Sequence, residues 1–524
     1  LPEVVASLGL LEKAVRARLK ALGQSGIVSR IWARDPTVWK PLGTPEIENR
    51  LGWLTVADWM LERLAELSEF ALEARSAASR FVLCGMGGSS LAPQVAREIF
   101  GGGEKELLVL DTIHPAAIAA VDRSSGSSTL YLISSKSGTT QETASLLQHY
   151  WQATGGAAQR FVAITDPATP LAQCARERGF RRAFLNPQDI GGRYSALSYF
   201  GTVPASLTGA NLEALLASGQ RMANSCRDTT DWESNPGAWL GAVLGEAAAV
   251  GRDKLTLVLS PPLERFGLWL EQLVAESLGK EGRGIVPVVG EPLGPVGVYG
   301  SDRLFVAIAL AGRESAEQRQ LVQALGEAGH PWVRFSWSDP SDLGAEFFRW
   351  EFATAVAGAI LGVNPFDQPD VQESKDNTRA LLAGRGGGRP AVSDRSAVER
   401  LLEGARPGDY IALLAFLAPS PETDARLARL QRSLRDRTGA AVTVGYGPRF
   451  LHSTGQLHKG GPPRGWFIQI IDQPQPDLPI PGEGITFGQL LAAEADGDFR
   501  ALQGRGRPVV RVMGLEALEE AVFG

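Results

Sequence analysis

Short apolar runs rich in β-branched and aromatic residues recur along this chain with helix-patterned segments between them, and that alternation leaves few folds open. Runs at 81–84, 107–110, 129–133, 161–164 and 183–185 form one series. Each is apolar through its length, as strands covered on both faces are, so the series predicts a parallel sheet flanked by helices. A second series, LTLVLS from 255, GIVPVV from 284, RLFVAIAL from 303 and WVRFSW from 332, ends in a long helix over about 345–361. A third follows the stretch Gly384 to Pro390, which reads as a linker. It comprises YIALLAFLA, a charged helix over about 421–437, AAVTVGY, WFIQIID and PVVRVMG. The expected organisation is a helical N-terminal segment (1–49), two α/β domains (50–232 and 233–384) and a C-terminal α/β unit (391–524).

A net charge of −6 and a pI near 5.7 argue against a nucleic-acid or membrane-surface partner, while leaving room for a local basic pocket. No apolar run reaches the roughly 18 residues that would cross a bilayer. The N-terminus, LPEVVASLGLLEKAVRARLKAL, reads as an amphipathic helix rather than a signal peptide, so a soluble cytoplasmic protein is expected. Leu1 in place of Met points to a processed product or a piece of a longer chain. Cys84, Cys174 and Cys226 are too scattered for a zinc motif and odd in number, which makes them structural thiols.

Chemistry is suggested where strands run into helices. Ser134-Ser135-Lys136-Ser137-Gly138-Thr139-Thr140-Gln141-Glu142-Thr143 follows the strand TLYLI and opens a helix. Unpaired N–H groups and the positive end of the helix dipole favour an anion there, and Ser135, Ser137, Thr139 and Thr140 add hydroxyl donors. The competing reading is a simple cap, since Thr139 and Glu142 have capping-box spacing. Phe81-Val82-Leu83-Cys84-Gly85-Met86-Gly87-Gly88-Ser89-Ser90 is a second loop of this kind, with glycines that let backbone N–H groups approach a ligand. It resembles a dinucleotide fingerprint, with Asp111 ending the next strand, but Ser90 replaces the third glycine. Two such loops at the carboxyl ends of one sheet suggest a phosphorylated small molecule.

In order along the chain, GMGGSSLAP, SSKSGTTQET, GGRYSALSYFG (191–201), AESLGKEG (275–282) and NPFDQPDVQESK (364–375) resemble the motifs of the glucose-6-phosphate isomerase family and its tandem sugar isomerase domains. The resemblance covers about 50–380, and the chain as a whole is most similar to the isomerase part of bacterial proteins fused to transaldolase, although no transaldolase motif is visible. It implies a phosphorylated hexose as substrate, no cofactor, no metal and a homodimer. Gly88 and Ser89 of the first loop, with Ser135, Lys136, Ser137 and Thr140 of the second, would hold the sugar phosphate.

Aldose–ketose isomerisation moves a proton between C2 and C1 through an enediolate, so it requires a carboxylate base and a fixed positive charge near the oxyanion. By resemblance Glu276 is that base. It borders the apolar stripe of Phe266, Trp269, Leu270 and Leu273 on a helix over about 264–279, whereas Glu271 is expected on the polar side. Arg193 matches the arginine that stabilises the enediolate, Lys375 a lysine that assists ring opening, and Gln368 a glutamine near the substrate. The ring-opening histidine departs from the family's usual order. The interval between Glu276 and Lys375 holds only His330, in a loop without a supporting motif, whereas FLHSTGQLHKGG (450–461) resembles the family's histidine segment. His452 is therefore the candidate, with His458 as competitor, and the C-terminal unit is expected to enter the site. In the family this histidine commonly comes from a neighbouring subunit, which leaves open whether His452 acts in its own chain. Two alternatives remain: dual specificity for mannose 6-phosphate, and a non-catalytic sugar-phosphate sensor, which the acid and base residues disfavour.

Overall fold

The computed structural model describes residues 1–101, 105–229, 231, 233–384 and 388–524; Arg385, Gly386 and Gly387 of the expected linker lie outside the described residues. The described strands run in chain order as β1 (Glu3–Ser7), β2 (Arg80–Cys84), β3 (Glu106–Leu110), β4 (Thr129–Ser134), β5 (Phe161–Thr165), β6 (Arg182–Leu185), β7 (Lys254–Leu259), β8 (Val286–Val288), β9 (Arg303–Leu310), β10 (Trp332–Trp337), β11 (Tyr410–Phe416), β12 (Ala441–Tyr446), β13 (Gly465–Ile471) and β14 (Val509–Met513). They form three sheets of order β3-β2-β4-β5-β6, β1-β10-β9-β7-β8 and β12-β11-β13-β14.

Every pairing in the first and third sheets is parallel, and helices follow the strands, so the protein is α/β with parallel sheets flanked by helices. The apolar runs of the sequence become buried strands because both faces are covered. In β4, Leu130 and Leu132 point into one core while Tyr131 and Ile133 point into another. The first sheet adds β3 on one side of β2 and β4 on the other. This reversal opens a crevice at the carboxyl ends of β2 and β4, where the glycine loop and the hydroxyl loop emerge.

The N-terminal segment differs from the helical expectation. Val4 and Val5 lie in β1, which pairs antiparallel with β10, Val4 opposite Phe335 and Val5 opposite Arg334. Two adjacent β-branched residues favour extended backbone, and β10 otherwise presents an unpaired edge. The amphipathic helix begins only at Leu11 and buries Leu11, Val15, Leu19 and Leu22.

The helix Glu264–Leu278 is packed against the helices Leu91–Phe100 and Asp342–Leu361 and against β8. From Trp269 onward all of its residues are buried. Glu271, expected on a polar side, is buried too, because neighbours close over that face as well. On the other side of the first sheet, Cys84, Tyr131 and Ile133 share one apolar core with Tyr410, Leu414, Phe416 and Phe467 of the third sheet. That shared core seats the C-terminal unit beside the loops that follow β2 and β4. No helix among the described residues is long and apolar enough to cross a membrane.

Candidate active site

A cleft of about 510 Å³ opens at the carboxyl ends of β2 and β4. Gly88, Ser89, Lys136, Ser137, Thr140, Arg193, Glu276, Gln368, Lys375 and His452 all line it, so residues from all three sheet units converge there. Ser135 does not. Its hydroxyl turns inward, 3.0 Å from Oγ1 of Thr140, and accepts the Gly138 N–H at 3.1 Å, so it shapes the hydroxyl loop from behind.

Thr140 is the N-cap of the helix Gln141–Ala153, and its side chain makes no capping bond. The Thr139–Glu142 capping box is not formed: the hydroxyl and N–H of Thr139 both go to Ser137 Oγ, at 2.9 and 3.2 Å. The helix N-terminus therefore faces the cleft without a capping side chain, the arrangement that suits an anion. Lys136 adds a positive charge at the rim, paired with Asp166. In the glycine loop, Gly87 has φ of 53°, and a Cβ there would stand 2.7 Å from the His452 carbonyl oxygen. A Cβ on Gly88 would stand 2.1 Å from the Gly192 carbonyl oxygen. Both positions exclude a side chain, which lets the segments carrying Arg193 and His452 close on the loop.

Arg193 follows Gly191-Gly192 in a short turn and is 3 % exposed. Its Nε donates to Ser277 Oγ at 2.8 Å, Nη1 to Gln368 Oε1 at 2.8 Å, and Nη2 to the carbonyls of Pro365 and Asp367 at 2.8 and 2.9 Å. Nη1 also lies 3.3 Å from Glu276 Oε1. The guanidinium is thus a fixed charge beside the candidate base, held by an acceptor on nearly every donor. Gln272, one helical turn before Glu276, donates from Nε2 to Glu276 Oε2 at 3.0 Å and to the His452 carbonyl at 2.8 Å. It ties the base to the histidine segment.

His452 ends a short turn, Arg449–His452, in the loop after β12. Its Nε2 lies 2.5 Å from Oε1 of Glu142, which is buried in the first turn of the helix after the hydroxyl loop. Burial alone would raise the Glu142 pKa; the charge of His452, the hydrogen bond to it and the charge of Lys375 outweigh that and hold it below the ordinary value. Lys375 stands exposed on the helix Gln372–Leu382 at the cleft mouth. His458, the competing histidine, is buried against the rings of Tyr410, Phe450 and Phe467, and burial drives its pKa well down. It is a core residue. His330 packs on Phe305 and does not line the cleft. The structure therefore brings His452 into the cleft of its own chain.

Sequence reasoning missed Glu142, Gln272 and the N-terminal pair Glu46 and Arg50, which also line or shape the cleft. Glu142 stood in view within SSKSGTTQET but was absorbed by the capping reading, and Gln272 had only its i,i+4 spacing to Glu276 as a signal. Glu46 and Arg50, paired at 2.7 Å, carried no signal at all. Behind the base, burial pushes Glu271 up to about 7, with Arg449 acting in the opposite sense. Among the described residues no cluster of His, Cys, Asp and Glu side chains is grouped to hold a metal ion.

Residues 64–288 match the family model described as phosphoglucose isomerase. The chain is 30 % identical over 403 residues to a glucose-6-phosphate isomerase of Symbiobacterium thermophilum, covering 66 % of this chain and 88 % of that protein. It is also 30 % identical over 392 residues to one of Rubrobacter xylanophilus, covering 63 % and 87 %. Among solved structures, a hypothetical protein of Thermus thermophilus aligns with a TM-score of 0.63 at 26 % identity, over 72 % of this chain and all (100 %) of that one. A glucose-6-phosphate isomerase from Chlamydia trachomatis aligns with a TM-score of 0.61 at 20 % identity, over 75 % and 89 %, a likeness of fold.

Proposed function

Because the chain belongs to the glucose-6-phosphate isomerase family, we propose that it interconverts glucose 6-phosphate and fructose 6-phosphate in this cleft. The observation that carries the proposal is the meeting of Glu276, Arg193 and the His452–Glu142 pair opposite an uncapped helix N-terminus rich in hydroxyls. In this reading Ser89, Ser137, Thr140 and Lys136 bind the phosphate, with Gly88 giving the backbone room, and that anchor presents C1 and C2 to the far side of the cleft. His452 moves a proton between the ring hydroxyl and the ring oxygen to open the sugar. Glu142 orients its imidazole and stabilises the charged form, and Lys375 adds a positive charge at the same end. Glu276 then takes the proton from C2 and returns it to C1. Arg193 holds the enediolate charge between the two steps, one of its donors leaving Gln368 or Glu276 for the substrate oxygen. We place the enzyme in the cytoplasm on the same reading.

The test is conversion of fructose 6-phosphate to glucose 6-phosphate by the purified chain, followed with a coupled dehydrogenase, with Glu276→Gln and His452→Ala alongside. The expected result is turnover in the wild type and a loss of about 10²–10⁴-fold in either variant. Absence of turnover in the wild type despite sugar-phosphate binding would overturn it.

A further inference from the structure

Two residues past the helix that bears Glu276, Lys280 is buried, and its ammonium has three N–H groups for three oxygens. Nζ donates to the Asn364 carbonyl at 2.6 Å, the Asp367 carbonyl at 2.5 Å and Asp367 Oδ1 at 2.6 Å. The segment 364–368 has neither helix nor strand to hold it. Yet it supplies three of the acceptors that fix Arg193: the carbonyls of Pro365 and Asp367, and the side chain of Gln368. The Asp367 carbonyl accepts from both cations.

Resting on the isomerase reading above, we infer that Lys280 is a positioning residue that locks the 364–368 segment to the end of the Glu276 helix, and through that segment sets the aim of Arg193 at the enediolate. Arg193 itself bridges the segment to Ser277 and Glu276 in the last turn of that helix, and Lys280 adds a second cationic tie just past the helix end. Asn364 Nδ2 reaches only the Pro45 carbonyl, and its Oδ1 accepts the N–H of Phe366.

The lock depends on the third proton. A neutral amine has two N–H groups, so one of the three oxygens loses its donor and faces a lone pair instead. Burial lowers the Lys280 pKa to about 8, and the Arg193 charge pushes the same way; the charge and hydrogen bond of Asp367 and the charge of Glu276 push back. Protonated below that value and neutral above it, Lys280 releases the segment as pH rises. A lysine that only filled space would leave no such mark.

The experiment measures kcat against pH for the wild type and Asp367→Asn, and the binding of two probes to Lys280→Met by calorimetry. The probes are inorganic phosphate and a five-carbon aldonic acid phosphate, whose carboxylate stands in for the enediolate. In the wild type kcat is expected to fall as pH rises through about 8. Asp367→Asn removes a charge that favours the ammonium, so the fall is expected roughly one pH unit lower. Lys280→Met is expected to bind inorganic phosphate as the wild type does and the aldonate on the order of tenfold or more weaker. An alkaline fall at the same pH in Asp367→Asn as in the wild type, or unchanged aldonate binding in Lys280→Met, overturns the assignment. Should Lys280→Met fail to fold, the Asp367→Asn profile decides. If the wild type isomerises nothing, the function falls, and the comparison of the two probes still decides the role of Lys280.

Discussion

At the scale of single residues, the proposed ring opening turns on the 2.5 Å pair of His452 and Glu142. A carboxylate against an imidazole selects one tautomer and fixes the ring, so Glu142→Gln is expected to slow turnover of the cyclic sugar by about 10²-fold or more. Conversion of an open-chain analogue should be affected far less, and the ratio of the two rates is the measurement. The same pair has a signature in stability. The folded pKa of Glu142 is held below its unfolded value, so its stabilisation is present above roughly pH 4.3 and is lost as pH falls through the folded pKa. Denaturant midpoints measured down that range should fall less in Glu142→Gln than in the wild type.

At the scale of elements, two loops and one helix divide the work. On the proposed function the hydroxyl loop grips the part of the substrate that does not react, so Ser137→Ala with Thr140→Ala is expected to raise KM on the order of tenfold and leave kcat close to normal. On the same reading the glycine loop carries Ser89 to the phosphate and also backs the segments that bear Arg193 and His452. Gly87 combines φ of 53° with a Cβ position 2.7 Å from the His452 carbonyl, so Gly87→Ala strains the loop and displaces the histidine segment. Loss of kcat is the expected outcome, with weaker phosphate binding beside it because Ser89 stands two residues on in the same loop, read by steady-state kinetics beside phosphate titration. The turn that carries His452 is anchored by Phe450, whose ring is 5.4 Å from that of Phe416 and fully enclosed. Phe450→Ala should cost about 3–5 kcal/mol in chemical denaturation.

At the scale of the whole molecule, the C-terminal unit matters because it shares an apolar core with the first sheet and reaches the cleft of its own chain. Base, arginine, phosphate loop and histidine then belong to one polypeptide. Mixing Glu276→Gln chains with His452→Ala chains is therefore expected to restore no activity, whatever the assembly state. Recovery of about a quarter to a half of wild-type turnover on mixing, which shared sites would allow, would show that histidines are exchanged between copies.

What was legible in the sequence was local. Strand periodicity, glycines where chains approach closely and hydroxyls before a helix are carried by neighbouring residues, so the α/β class and both loops of the cleft could be read directly, and the family motifs named most of its lining. Contacts between distant segments were not. Glu142 looked like a cap because its partner lies 310 positions away, Glu271 looked solvated because nothing in its helix announces what packs over it, and β1 looked helical because its partner strand follows more than 300 residues later. The sequence by itself determined the fold class, the two strand-to-helix loops of the cleft and, through the family motifs, the candidate base. Only the tertiary structure decided which histidine enters the cleft, that it does so within its own chain, and which groups hold base and arginine in place, because burial and charge pairing across the fold are properties of three-dimensional neighbours.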